Sequence, residues 1–391
     1  MRAKANQNMK TGSSHSILLV APAPPPYGGM ALQAQLLQNL LRGDGNAVDL
    51  FASNFSFGKR LRFLGRIPAL RTAIRAILMW WKLWGRSRQV EIVHIFAASW
   101  IYFFAVVLPA ALIGRLRGKR VILNYRGGEA DDFLRTYGRL TRPVFGWADV
   151  VTAPSGFLAQ VIRTRVGKPV TVIPNILDTS RFPYRQRTSV SPKMLVARHL
   201  EKIYDVESVL RAFQAAQRRH PEATLWIAGT GSQEPYLRGL VSDWNLNNVS
   251  FLGHVPHGDL PAIYDACDIL VNASRVDNFP GALIEASGAG LVVVSTGAGG
   301  IPFIYKNEET ALLVKPGDWF ALAHAIERVL DDPPFALGLA KRAASVARDC
   351  DWREVRKSLY EVYAFPLADG QDESAGVTRQ MSGVQRVWDE K

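Results

Sequence analysis

Short apolar runs rich in β-branched residues alternate with helix-length amphipathic stretches along most of the chain, and midway the series begins again. "SILLVAP" (16–22), "EIVHIF" (91–96), "RVILNY" (120–125), "DVVTAPS" (149–155) and "PVTVIPN" (169–175) read as strands, with helices such as "MALQAQLLQNLLR" (30–42) and "SGFLAQVIRTRV" (155–166) between them. "KMLVAR" (193–198), "ATLWIAG" (223–229), "VSFLG" (249–253), "DILVNAS" (268–274), "LVVVST" (291–296) and "ALLVKP" (311–316) form a second set, separated by helices such as "VESVLRAFQAAQRRH" (206–220) and "WFALAHAIERVLDD" (319–332). Parallel neighbours need a crossover, and strands that are apolar throughout must be covered on both faces. Strand–helix alternation therefore predicts an α/β fold of parallel sheets between helices. At 391 residues the chain exceeds one ordinary core, and two doubly wound domains facing across a cleft satisfy both length and pattern. The first spans 16–178 and the second 193–350. A linker at 179–192 lies in "LDTSRFPYRQRTSVSP" (177–192), and a helix at 351–366 follows the second domain. The polar ends, 1–15 and 367–391, are expected to be a disordered and a mobile tail.

Charge divides at the same boundary. Residues 1–185 hold 26 Lys and Arg against 8 Asp and Glu, and residues 186–391 hold 21 against 26, within a net charge of +13. From Lys59 to Arg88 there are nine cations and no acid. There Leu70, Ile74, Leu78 and Trp81 recur at helical spacing among Arg71, Arg75 and Lys82. This pattern suits an amphipathic helix on an anionic membrane surface, or a core helix with a solvated basic face. No nucleic-acid-binding module accompanies the charge, and no nucleic-acid partner is expected. "WIYFFAVVLPAALIG" (100–114) is shorter than the ~20 residues a membrane span needs and contains Pro109, so a helix buried against a sheet is expected. Two cysteines, Cys267 and Cys350, and no segment resembling a signal peptide point to a reducing, cytoplasmic compartment.

Ligands of doubly wound sheets bind at the carboxyl ends of the strands, and the polar residues there are the candidates. Gly28 and Gly29 lie between the first strand and first helix, where backbone amides suit a phosphate; a plain turn has the same composition. "GTGS" (229–232) and "TGAGGIP" (296–302) repeat that pattern. Arg198 follows the first strand of the second set and Lys202 comes four positions later; two cations there could neutralise a leaving phosphate or simply be solvated. In "RVDNFPGALIEASGAG" (275–290) a rigid Phe279-Pro280-Gly281 turn separates Asp277 from Glu285. Asp277 would sit on a loop and Glu285 two turns into a helix, with backbone amides near Gly281 between them. One carboxylate suits sugar hydroxyls and the other the paired hydroxyls of a ribose, while on the residues alone a coincidental pair of acids fits the stretch equally well. Glu129, Asp131 and Asp132 follow Arg126 and suit either an acceptor or the positive end of a helix.

Residues 16–365, and above all 170–330, resemble the retaining GT-B glycosyltransferases of the glycogen-synthase-like class, family 4. "VIPNILDTSRF", "VARHLEKIYDVESVLRAF", "IAGTGSQEPYLRGLV", "VSFLGHVPHGDLPAIYDACDILVNAS" and "GAGGIPFI" run in that family's order, and "DNFPGALIEASGAG" matches its E-x7-E motif with Asp277 for the first glutamate. The resemblance implies two Rossmann-like domains, the first for acceptor and the second for a nucleotide-diphosphate sugar donor, with the helix at 351–366 crossing back onto the first. It implies that Arg198 and Lys202 stabilise the leaving diphosphate, Asp277 binds donor-sugar hydroxyls and Glu285 the ribose. Gly28 and Gly29 would approach the β-phosphate, Gly253 and His254 the base, and Phe279, Pro280 and Gly281 would complete the donor site. Transfer would be retaining, with no metal or other cofactor. The family often carries a histidine near the donor sugar; Arg126 stands in the corresponding stretch, while His94 belongs to an earlier strand. Arg126, Glu129 and His94 are the acceptor-side candidates. The Arg/Lys loop is one residue short and lacks the glycine after lysine, and Phe303 stands where "GGIPE" would have its acid. The expectation is a glycosyltransferase of envelope or extracellular polysaccharide assembly, peripheral on the inner face of the plasma membrane through residues 59–88, with a lipid-linked saccharide acceptor. A soluble acceptor, or a nucleotide-sugar-binding subunit without catalysis, is the alternative.

Overall fold

The computed structural model describes residues 15–25, 28–54 and 68–364. In it β1 (Ser16–Ala21), β2 (Ala47–Ala52), β3 (Ile92–Ala97), β4 (Arg120–Tyr125), β5 (Val150–Ala153) and β6 (Thr171–Val172) form one parallel sheet in the order β2-β1-β3-β4-β5-β6. A second comprises β7 (Lys193–Ala197), β8 (Thr224–Ala228), β9 (Val249–Gly253), β10 (Ile269–Asn272), β11 (Val292–Thr296) and β12 (Leu312–Val314), ordered β12-β11-β10-β7-β8-β9. Strand order reverses between β1 and β3 and again between β7 and β10, the switch points where such sheets open a crevice at their carboxyl ends. β2 is an addition to the strands read from the sequence. It is an edge strand in which only Val48 and Phe51 are buried, so "AVDLFA" lacks the continuous apolar run of a central strand.

Within the sheets, the period-2 geometry of a strand sends alternate residues to opposite cores. In β1, Ile17 and Leu19 face one core of the first domain and Leu18 and Val20 the other, all fully buried. In β11, Val292 and Val294 face one core of the second domain and Val293 the other. The stretch at 100–114 forms a π-turn, Phe103–Val107, leading into a helix, Leu108–Leu116, that buries Ala110 and Ala111. Pro109 has no N–H to give to the Ala105 carbonyl one turn back in the π-turn, and Trp80 Nε1 donates to that carbonyl at 3.2 Å. Among the described residues no helix is long and apolar enough to cross a membrane.

The basic stretch yields a helix, Pro68–Arg86. Residues 59–67 and the side chains of Leu70, Arg71, Ile74 and Arg75 lie outside the described residues, as do the expected tails but for residue 15. Trp81, expected on the apolar stripe, is 73% exposed and Ile77 60%, whereas Met79 and Leu83 are buried. The helix therefore packs on the first domain through Met79 and Leu83 and turns aromatic and basic residues outward.

The last described helix, Trp352–Tyr363, belongs to the core of the first domain. Val355, Leu359, Tyr360, Val362 and Tyr363 pack among Ile17, Leu19, Ile92 and Ile122, and Arg120 Nε donates to the Val362 carbonyl at 3.1 Å. Leu359→Ala should cost about 2–5 kcal/mol, the range for truncating a buried leucine. Urea unfolding should show a lower midpoint; a loss below about 0.5 kcal/mol, the size of an ordinary surface substitution, would mean that this helix is not part of that core.

Candidate active site

Both domains turn their strand ends toward one cavity of about 830 Å³, within the range that holds a small-molecule ligand. The first domain lines it with Gly29, Met30, Arg126 and Asn175, the second with Arg198, His254, Asp277, Phe279, Gly281 and Glu285. Gly29 opens the helix Gly29–Gly43, whose N-cap, Gly28, offers no side chain and whose first turn holds no acid. Gly281 likewise opens the helix Gly281–Ala289 after Pro280, again without a side-chain cap. Two sets of first-turn amides thus lack intrahelical acceptors beside the cavity, and each helix presents its positive end there.

Arg198 and Asp277 are brought into contact as an ion pair with side-chain exposures of 14% and 10%. Arg198 also donates to Ser274 Oγ at 3.0 Å and lies over the Tyr204 ring at 4.5 Å. Burial pulls its guanidinium below the usual arginine range. The glycine turns explain how the pair is held. A Cβ on Gly229 would overlap the Arg198 carbonyl, and one on Gly299 would overlap that of Asp277. "GTGS" and "TGAGG" are therefore glycine-rich because the backbones of the Arg198 and Asp277 loops press against them. Gly300 N–H donates to the Asp277 carbonyl at 2.8 Å.

Glu285 accepts a hydrogen bond from the Tyr264 hydroxyl at 2.8 Å. Burial raises its carboxyl above the usual range, opposed by that bond and by the charges of His257, Arg181 and Arg198. His254 is exposed at the cavity edge, after Gly253, whose carbonyl accepts from Gly229 N–H at 2.8 Å. Lys202 is exposed on the 3-10 turn Lys202–Tyr204 and does not line the cavity, although its neighbours Ile203 and Tyr204 do. Glu129 is exposed and accepts from Trp100 Nε1 at 3.0 Å, outside the lining.

His94 does not reach the cavity. It is fully buried, with Nδ1 2.5 Å from the Tyr363 hydroxyl and Nε2 3.3 Å from Asn124, beneath the last helix. Burial, and then the charge of Arg126, push its imidazole down to about 3. Phe303 lies on the second domain against Gly156 and Phe157 of the first, ring centroids 6.1 Å apart in the aromatic pair. Asn278 Nδ2 donates to the Gly127 carbonyl at 2.7 Å and joins the domains beside Asp277. Tyr264, Ser274, Asn278 and Asn175 were not singled out from the sequence. Tyr264 sits within an apolar helical pattern, and only its position facing Glu285 across two packed helices reveals it. Among the described residues no group of three or more His, Cys, Asp or Glu side chains gathers as a metal site.

The model of "Glycosyltransferase Family 4" matches residues 27–181 and that of "Glycosyl transferases group 1" residues 184–346. Glycogen synthase of Mycobacterium tuberculosis is 33% identical over 199 residues, 50% of this chain and 48% of that protein; the chain thus spans about half the length of such curated relatives. A GDP-mannose-dependent alpha-(1-6)-phosphatidylinositol monomannoside mannosyltransferase of the same organism is 26% identical over 311 residues, 73% of this chain and 78% of the relative. Among solved structures, Anabaena Alr3699/HepE in complex with UDP and glucose matches with a TM-score of 0.68 at 17% identity, covering 90% of this chain and 99% of that one. Sucrose-phosphate synthase from Thermosynechococcus elongatus matches with 0.70 at 20% identity, covering 90% and 98%. Similarity at such identities is similarity of fold. The two family models meet at the linker and together take in both domains: the chain belongs to the group 1, family 4 glycosyltransferases and has their GT-B fold.

Proposed function

We propose that this chain transfers a sugar from a nucleoside-diphosphate donor to a lipid-linked saccharide at an anionic membrane surface, in envelope or extracellular polysaccharide assembly. The observation that carries the reading is the meeting of Arg198, Asp277 and Glu285 in one cavity between two uncapped helix starts. The helix starts and Arg198 suit a diphosphate, Glu285 a ribose and Asp277 sugar hydroxyls. In the reaction the bond from the sugar's anomeric carbon to the diphosphate oxygen breaks, and its electron pair leaves with the diphosphate. The acceptor hydroxyl forms the new bond on the same face and gives its proton to a diphosphate oxygen. Arg198 is already desolvated and oriented, so it stabilises the growing charge with little reorganisation. No step requires a metal. The membrane part of the reading rests on Ile77 and Trp81, exposed beside Lys82 on a basic helix. Ile77 and Trp81, four positions apart on one exposed face and flanked by Lys82, suit the headgroup region.

Three outcomes test this. Glu285→Ala should weaken the binding of the cognate nucleoside diphosphate about tenfold or more, since a charged hydrogen bond is worth roughly 1.5–3 kcal/mol. Because the carboxyl is raised by burial and acts as an acceptor when charged, this affinity is present above its pKa and lost as pH falls through it. Calorimetry across pH should show that acid limb in the unmodified protein and not in Glu285→Gln; identical profiles remove Glu285 from the site. Arg198→Ala should lower turnover more than donor affinity, because its charge counts most in the transition state. An equal effect on both would assign it to ground-state binding. Ile77→Ser with Trp81→Ser should reduce co-sedimentation with anionic liposomes about tenfold or more, from the ~1.5–3 kcal/mol of burying each side chain. Equal binding by parent and variant, or none by the parent, favours a soluble acceptor.

A further inference from the structure

Arg126 directly follows β4 and lines the first domain's wall of the cavity with Gly29 and Asn175. It is half-buried and held in place: its backbone N–H donates to the Ala97 carbonyl at 2.8 Å, its guanidinium lies 4.8 Å from the Phe96 ring centroid, and one terminal nitrogen donates to Asn175 Oδ1. What it lacks is a counter-ion. Arg187 is paired with Asp268 and Arg198 with Asp277, but no carboxylate among the described residues lies within ion-pair distance of Arg126. Burial lowers its pKa only to about 10, so it stays charged at neutral pH, and neighbouring His94 is neutral there. Asn175 is informative as an amide. It orients the guanidinium without cancelling its charge, where an aspartate would have done both.

A half-buried, oriented guanidinium without a counter-ion among the described residues, facing a cavity, is suited to take an oxyanion in a forked hydrogen bond. We infer that Arg126 anchors a carboxylate or phosphate of a substrate group other than the donor diphosphate, carried by the transferred sugar or by the acceptor. The inference rests on the proposed function, and the position of Arg126 narrows it. The diphosphate is already provided for by Arg198 and the two helix starts. Gly127, next in the chain, accepts from Asn278, the residue after Asp277. Arg126 therefore stands beside the loop assigned to the sugar, on the domain assigned to the acceptor. An Arg126-anchored oxyanion would select a uronate over a neutral hexose, or a phosphorylated acceptor over its unphosphorylated form.

Calorimetry on the full chain separates the two sources. One arm compares UDP-glucuronate with UDP-glucose, and GDP-mannuronate with GDP-mannose. The other adds glucose 6-phosphate, mannose 1-phosphate, glucose or mannose to protein saturated with UDP or GDP. In one arm the charged probe should bind about tenfold or more tightly than its neutral partner, the scale of one charged hydrogen bond. Arg126→Met should abolish that preference and Arg126→Lys retain part of it, with UDP and GDP affinity kept as the check on folding. Equal binding of charged and neutral probes in both arms, alongside intact UDP or GDP binding, overturns this inference and leaves the transferase reading standing. A comparable loss of UDP and GDP affinity in Arg126→Met, in folded protein, also overturns it, by assigning Arg126 to the diphosphate. If none of UDP, GDP, ADP and dTDP binds the unmodified protein, the transferase reading fails and this inference fails with it.

Discussion

One face of the first sheet is covered by a helix from the far end of the chain, and the site depends on that closure. Val355, Leu359, Tyr360, Val362 and Tyr363 share with Ala34, Leu37 and Leu41 of the helix Gly29–Gly43 the cover over the apolar side chains of β1, β3 and β4 on that face. The helix is tied in by polar contacts as well: the Tyr360 hydroxyl donates to Asp44 at 2.8 Å and accepts from Asn46 at 3.1 Å. At its start, Leu177 N–H donates to the Cys350 carbonyl at 2.8 Å, so the chain's two crossings between domains lie side by side. A double crossing restricts how the two rows of strand ends face each other. The cavity exists only because those rows do face.

Closure sets the frame, and the placement of Arg198 and Asp277 comes from close backbone contact. The loops that carry them rest on glycine turns in which any side chain would collide. This makes the ion pair a property of four loops acting together. Breaking one member would leave a buried charge unpaired, which costs more than the pair itself contributes. Glu285 has a different kind of support. Its carboxylate is desolvated, and the Tyr264 hydroxyl fixes one oxygen while the other remains available to a ligand.

Much of this was legible in the sequence because it follows from periodicity or from single residues in fixed turns. Strands buried on both faces announce themselves by continuous apolar runs, and Arg198, Asp277 and Glu285 stood out as charges at strand ends or on the helix after a rigid turn. What was not legible depends on partners distant in sequence. β2 is an edge strand and carries only two buried residues. Trp81 read as apolar stripe, yet Met79 and Leu83 face the core, because the register of a helix on its neighbours is not fixed by its own spacing. His94 read as an acceptor-side candidate, and the residue that decides against it is Tyr363, 269 positions away. Tyr264 and Asn278 carry no local signal at all; each gains meaning from the residue it touches across a helix or a domain boundary.

The two walls of the cavity solve the problem of a buried cation in opposite ways. On the second domain Arg198 has Asp277 against it, so its charge is balanced before any ligand arrives. On the first, Arg126 has only an amide and a ring, and its desolvation is not offset within the described structure. A fold can tolerate such a residue when its stability elsewhere exceeds what the residue costs. The excess of positive charge in the first half of the sequence points the same way, since added cations make an uncompensated arginine still less favourable there. Selection for stability alone would favour an aspartate at position 175 or an apolar residue at 126. An oriented guanidinium with a neutral partner is what an incoming oxyanion requires, and no carboxylate of the described residues fills that place.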